Sequence, residues 1–215
     1  MVRFIIFDVM GVIFTVGDDV EELLIPYIRS LKPGIPADSI KAVYLAASLG
    51  RLPSREFWSM MGFKRIDIPK IERTYLEQSF TLDAGFIPCV KALKERYGIV
   101  LLSNDVSEWS KYLRSFHNIE QFVDAAFISG DLGVRKPDPE IYRIALNDLK
   151  ADPGECVFID DSPERVDAAR ELGINSILFD REGKEESGFC VRSFEQLNET
   201  LPLLLSQDKH SRQIM

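Results

Sequence analysis

The sequence predicts an α/β fold: a doubly wound, Rossmann-like parallel sheet with a small all-helical cap domain inserted after its first strand. Three observations predict it. Short apolar runs recur at residues 2–7, 99–102, 125–128, 156–159 and 176–179. They are apolar on successive rather than alternate residues, the pattern of strands covered on both faces. Helical stretches stand between and after them at about 87–97, 107–116, 139–149 and 163–172, a strand–helix alternation that fits right-handed crossovers. Between residues 16 and 84 there is no strand pattern, but helical patterns occur at 20–31, 39–49, 54–60 and 70–79. Pro33, Gly34, Pro36, Gly50, Pro53 and Pro69 punctuate them. Such an insert is far longer than an ordinary crossover and is expected above the sheet edge where ligands bind. The expected organisation is a core of residues 1–15 and 85–205, a cap of 16–84 and a flexible polar tail of 206–215.

The first strand opens directly from the N-terminus and ends at Asp8. Its single apolar run is too short for a signal peptide, and no run in the chain reaches the roughly 18–20 residues of a membrane span. A membrane partner is therefore not expected. The 215 residues carry a net charge of −8, which repels phosphate backbones and argues against nucleic acid as a partner. An anionic substrate would need a metal or local positive charge to overcome that field. Cys89, Cys156 and Cys190 are scattered and odd in number, as expected of reduced thiols in a cytoplasmic protein. No pattern specifies an oligomeric state.

The chemistry-bearing residues fall where strands end. Asp8 closes the first run, Ser103-Asn104-Asp105 the second, and Asp160-Asp161-Ser162 the fourth, while Arg135-Lys136-Pro137-Asp138-Pro139 follows the loop after the third. In a parallel sheet these points share one edge, so a carboxylate, a hydroxyl, an ammonium and an acidic pair can converge. Each has a plain alternative: a turn residue, a helix cap or a solvated lysine. The adjacent acids are the hardest to explain structurally, because they repel each other unless a cation neutralises them. Together the four suit phosphoryl transfer, which needs charge neutralisation and in-line positioning. Gly11 would allow close approach of backbone N–H groups to an anion.

These residues resemble the haloacid dehalogenase-like (HAD) hydrolase superfamily, most of whose members are phosphatases. Phe7-Asp8-Val9-Met10-Gly11-Val12 resembles its first motif and Leu102-Ser103-Asn104 its second. Lys136, within Gly133-Val134-Arg135-Lys136-Pro137-Asp138-Pro139, resembles its third, and Phe158-Ile159-Asp160-Asp161-Ser162 its fourth. The insert resembles the helical cap of subfamily I, and the paired acids resemble the group containing sugar-phosphate phosphatases and the phosphatase domain of soluble epoxide hydrolase. The resemblance implies Asp8 as a nucleophile forming an aspartyl-phosphate, with Ser103 and Lys136 as its catalytic partners. It implies Mg²⁺ held by Asp8, the Met10 carbonyl and Asp161, with Asp160 close behind. A small phosphorylated metabolite would contact Met10, Gly11, Asn104 and, from the cap, Arg51; Arg55 is a second candidate there.

Two positions depart from that pattern. Where phosphatases of the superfamily carry a second Asp, two residues after the nucleophile, this chain has Met10, whose thioether can neither give nor take a proton. Where relatives often carry Asn beside the acidic loop, it has Arg165. The expected activity is Mg²⁺-dependent phosphoester hydrolysis, reduced or biased toward good leaving groups. The alternatives are a metal-independent 2-haloacid dehalogenase and a catalytically weakened protein that binds phosphometabolites. His117 and His210 lie outside all four motifs.

Overall fold

The structure, a computed structural model, describes residues 1–184 and 189–211. Six parallel strands form one sheet: β1 (Phe4–Phe7), β2 (Gly98–Ser103), β3 (Ala125–Ile128), β4 (Cys156–Asp160), β5 (Asn175–Phe179) and β6 (Cys190–Val191). Their order is β3-β2-β1-β4-β5-β6. The chain lays β2 and β3 on one side of β1, then returns to place β4 on the other. The order in which the chain lays down its strands therefore reverses between β1 and β4, and such a crevice is where open α/β sheets bind ligands. Phe7 pairs with Leu101 on one side and Ile159 on the other, so Asp8 emerges beside Asp160.

Burial accounts for the unbroken apolar runs. Phe7, Leu101 and Ile159 pack into one core, while Ile6, Val100 and Phe158 point the other way into a second. The second core is closed by Ile141, Tyr142 and Ala145 of α8 (Pro139–Leu149) and by Ala169 of α9 (Pro163–Glu171). Helix α8 starts cleanly: the Asp138 carboxylate accepts the Glu140 N–H at 2.9 Å, and Pro139 sits where no N–H is needed.

Between residues 20 and 79 the described elements are all helices, as expected. A π turn (Val20–Leu24) runs into α1 (Ile25–Leu31), followed by α2 (Ala37–Ala47), α3 (Ser54–Met60) and α4 (Ile68–Ser79). Their aromatic core continues into the sheet domain. Tyr44, Trp58 and Tyr75 lie 6.1, 5.8 and 5.5 Å from the ring of Trp109 on α6 (Ser107–Phe116). Both indole N–H groups, of Trp58 and Trp109, donate to the same Glu72 carboxylate oxygen at 2.7 and 2.8 Å. The two linkers between helices and sheet run side by side, Thr15 N–H donating to Thr81 C=O at 3.1 Å and Asp83 N–H to Ile13 C=O at 2.9 Å. Arg181 fastens them: its Nε donates to Gly11 C=O at 2.8 Å, and its guanidinium pairs with Asp83.

The helix expected at 87–97 is α5 (Phe86–Lys94). Three elements were not expected: α7 (Ser129–Leu132), β6 and α10 (Phe194–Ser211). The first two, of four and two residues, are too short for any period to register. Helix α10 contains Pro202, a residue that interrupts a helical pattern, yet Phe194, Leu197, Leu201 and Leu204 fall on one buried face. It takes in residues 206–211, part of the stretch expected as a tail, and residues 212–215 lie outside the described residues. Among the described residues no helix is long and apolar enough to cross a membrane.

Candidate active site

At the carboxyl ends of β1, β2 and β4 a cleft of about 300 Å³ opens toward the cap. It is lined from below by Asp8, Met10, Asn104, Asp161 and Arg165, and from the cap side by Asp19, Tyr44 and Arg135 among others. Asp8 is buried at its floor. Its Oδ1 accepts the Val9 N–H at 2.6 Å and lies 2.9 Å from Lys136 Nζ, and its Oδ2 accepts from Arg165 at 3.1 Å. Lys136, also buried, reaches on to Asp160 Oδ2 at 2.6 Å, so one ammonium bridges two buried carboxylates. Asn104 holds the lysine's backbone on both sides, accepting its N–H at 2.8 Å and donating to its C=O at 2.9 Å.

The carboxylates of Asp8, Asp160 and Asp161 each offer an oxygen, and the three oxygens lie within 4.8 Å of one another. That hard-oxygen set suits Mg²⁺. Burial would push the Asp160 carboxyl up, but Lys136, Arg165 and the N–H of Ser162 hold it below the ordinary carboxylate range. Burial and the neighbouring Asp160 push Asp8 up, against the pull of Lys136 and Arg165. Burial, then Asp8 and Asp160, push Asp161 up to about 7. Three acids thus share two cations, and the strain of the unbalanced charge falls on Asp161. Ser103 Oγ is buried and has no hydrogen-bond partner, a hydroxyl free to donate to an incoming oxygen.

The structure thus brings Asp8, Met10, Asn104 and Asp161 to one cleft, joins Lys136 and Asp160 to Asp8, and sets Ser103 at the end of the neighbouring β2; it corrects two expectations. Arg51 is exposed and does not line the cleft; Arg135, donating to Ser48 Oγ and lying 5.7 Å from the Tyr44 ring, supplies the cation on that side. Arg55 is likewise exposed. Gly11 does not offer its N–H to a ligand, because that N–H donates to Val16 C=O at 2.8 Å. Its φ of +76° and missing Cβ instead make room for the Asp161 carboxylate, which a side chain at Gly11 would strike. Gly17 leaves space for the same carboxylate. His117 packs edge-on against Phe14 at 5.0 Å, away from the cleft lining.

Sequence reasoning missed Asp19, Tyr44 and Arg135. Asp19 is buried, and burial together with Asp18 pushes its carboxyl up to about 7 against the pull of Arg135. A signal for it existed: Asp18-Asp19 is a second adjacent acidic pair following an apolar run.

Known proteins resemble the chain to different extents. Over 187 residues the chain is 22% identical to D-ribitol-5-phosphate phosphatase of Bacteroides thetaiotaomicron, covering 82% of this chain and 91% of that one. Over 132 residues it is 47% identical to bifunctional epoxide hydrolase 2 of Sus scrofa, covering 60% of this chain but 22% of that larger protein. A crystal structure of a HAD family enzyme from Bacteroides thetaiotaomicron, an Asp-to-Ala mutant in complex with magnesium and inorganic phosphate, superposes with a TM-score of 0.71. It is 23% identical and covers 87% of this chain and 98% of that one. A 2-haloacid dehalogenase of Pseudomonas syringae superposes at 0.68 with 16% identity, covering 96% and 99%. The family described as haloacid dehalogenase-like hydrolase matches over residues 2–173, most of the chain and the ends of β1, β2 and β4 at the cleft: the chain belongs to the haloacid dehalogenase-like hydrolases.

Proposed function

We propose that the protein is a Mg²⁺-dependent, cytoplasmic phosphatase that hydrolyses a small phosphorylated metabolite through an aspartyl-phosphate on Asp8. One observation carries this reading: a buried carboxylate flanked by Lys136, by two further acids and by the unpartnered hydroxyl of Ser103. Asp8, Asp160, Asp161 and the Met10 carbonyl would hold the metal. When bound, Mg²⁺ supplies charge neutralisation between the attacking carboxylate and the phosphoryl group. The chain's own residues do the rest. Lys136 and the Val9 N–H fix the orientation of Asp8, whose oxygen attacks phosphorus as the bond to the leaving oxygen breaks. Ser103 Oγ donates to a phosphoryl oxygen, and Asn104 keeps Lys136 in place. Water then cleaves the acyl phosphate and regenerates Asp8.

Met10 lines this cleft and brings no proton to it. The leaving oxygen therefore departs with little protonation, and turnover favours substrates whose alcohols are acidic. Assays with aryl and alkyl phosphates, with Mg²⁺ or chelator, test this. Aryl phosphates should turn over faster in a reaction that needs both Asp8 and metal, and Met10→Asp should accelerate alkyl phosphates roughly 10²- to 10⁴-fold. Equal activity in Asp8→Asn, or indifference to chelator, would sink the reading.

Met10 also favours a second reading, 2-haloacid dehalogenation, in which Asp8 attacks carbon and no leaving-group proton is needed. The Asp160-Asp161 pair opposes it, since a metal-free site gains nothing from two adjacent acids. Chloride release from 2-chloropropionate in chelator would establish it.

A further inference from the structure

Arg165 stands where the family resemblance leads one to expect Asn, and it does not sit idle. A single guanidinium nitrogen lies 3.1 Å from Asp8 Oδ2, 3.5 Å from Asp160 Oδ1 and 3.7 Å from Asp161 Oδ1. These are the same three carboxylates whose oxygens cluster within 4.8 Å of one another, the one such group among the described residues. We propose that Arg165 is an internal counter-ion that holds this cluster together without metal and must withdraw when a divalent cation binds, so that it sets the protein's metal affinity. The inference rests on reading the three acids as the metal-holding set.

The two cations at the cluster are not equivalent. The Lys136 side chain has no exposed surface, its ammonium bridges two buried carboxylates, and its backbone is clamped by Asn104. It has no way out. The Arg165 side chain is 27% exposed and lines the open cleft, so its head can leave for water while its stem stays put. Its backbone need not follow, because the Tyr142 hydroxyl donates to Arg165 C=O at 2.9 Å and pins the first turn of α9. A guanidinium and a dication cannot share these oxygens: each occupies their lone pairs, and their like charges repel at contact distance. The reverse also holds. Three crowded carboxylates served by Lys136 alone repel one another, so removing Arg165 destabilises the metal-free fold. It leaves a site that gains more from a dication.

Calorimetric titration with Mg²⁺ tests this on the full chain, comparing wild type, Arg165→Asn and Arg165→Lys, beside thermal melts in chelator and in saturating Mg²⁺. Arg165→Asn should bind Mg²⁺ at least about tenfold more tightly. It should also melt lower than wild type in chelator and show the larger rise in Tm with metal. Arg165→Lys keeps the charge and should stay near wild type in both measurements. An Arg165→Asn chain that unfolds in chelator and refolds with Mg²⁺ supports the proposal. Equal or weaker affinity in Arg165→Asn overturns it, as does equal tightening by Arg165→Lys, which would exclude charge as the cause. Asp161→Asn separates this failure from that of the metal site itself. If Mg²⁺ binds none of the proteins, or binds Asp161→Asn as well as wild type, the assignment of the three acids falls and the proposal with it.

Discussion

The floor and the roof of the cleft are electrostatically unlike. On the floor, at the strand ends, every buried acid touches a cation: Lys136 bridges Asp8 and Asp160, and Arg165 reaches both and Asp161. On the roof Asp19 is buried in the cleft wall; Asp105, in the loop after β2, lies outside the lining but interacts with Asp19, is buried, and has no hydrogen-bond partner at Oδ2. Burial and then Asp19 push Asp105 well up, while the pull back comes from the N–H of Val106, Arg135 and Arg114. The floor sets three acids against two cations and pushes the excess charge onto Asp161; on the roof Asp19, and Asp105 beyond it, are pushed toward the neutral form. A dianionic substrate entering between them therefore needs a dication added to the floor, and on the roof it meets Arg135 beside an acid pushed toward its neutral form.

The largest break in this contrast is Lys136→Met. It removes the one cation that cannot move and leaves Asp8, Asp160 and Asp161 to Arg165 alone. Stripping one partner from a buried ion pair costs about 3–5 kcal/mol, so the urea midpoint should fall steeply. Adding Asp160→Asn to Lys136→Met should restore part of the loss, because one of the stranded charges is then gone. If the double variant is no more stable than the single, charge balance is not what organises the floor.

The roof answers to pH instead. Burial and Asp18 raise Asp19 from 3.8 to about 7 in the folded chain. Its stabilising contribution, the neutral carboxyl, is fully present below about 3.8 and is lost as pH rises through about 7. The loss is on the order of 4 kcal/mol. Asp19→Asn keeps the neutral shape at every pH. The variant should melt with wild type near pH 4 and above it by a margin that grows up to about pH 7 and then levels off. The groups that set this value are Asp18, Arg135 and Asp8, and Tyr44, Tyr75 and Asp105 interact electrostatically with it. A pH-independent difference in Tm between the two proteins would remove Asp19 from the account.

What was legible in the sequence follows the same division. The floor hangs on β1, β2 and β4, whose two-sided burial writes continuous apolar runs, and Asp8, Ser103 and Asp160 are the residues at which those runs stop. Topology then does the aiming. The roof is built from α2, the approach to the cap and the loop after β3, where no period tells which charge turns inward. Arg51 and Arg135 read alike in the sequence, each an arginine in a loop, and only packing separates them. Gly11 could be seen as a backbone position without a side chain, but not that its N–H is already committed to Val16. Helix α10 was lost to Pro202.

The smallest effects sharpen the roof itself, through the two arginines that sequence could not rank. Arg135 donates to Ser48 Oγ, lies against the Tyr44 ring and faces the cleft; Arg51 stands in solvent. Arg135→Ala should weaken binding of an anionic substrate by the worth of one charged hydrogen bond, about 1.5–3 kcal/mol. It should appear in KM more than in kcat, because the residue sits on the wall opposite the reacting atoms. Its loss also withdraws the cation that pulls Asp19 down, so the pH-dependent fall in stability should grow and run on to higher pH. Arg51→Ala should change stability by no more than about 0.5 kcal/mol and leave KM unaltered. If the Arg51 variant raises KM and the Arg135 variant does not, the cap must close differently over substrate, and the roof would have to be redrawn around the arginine now in solvent.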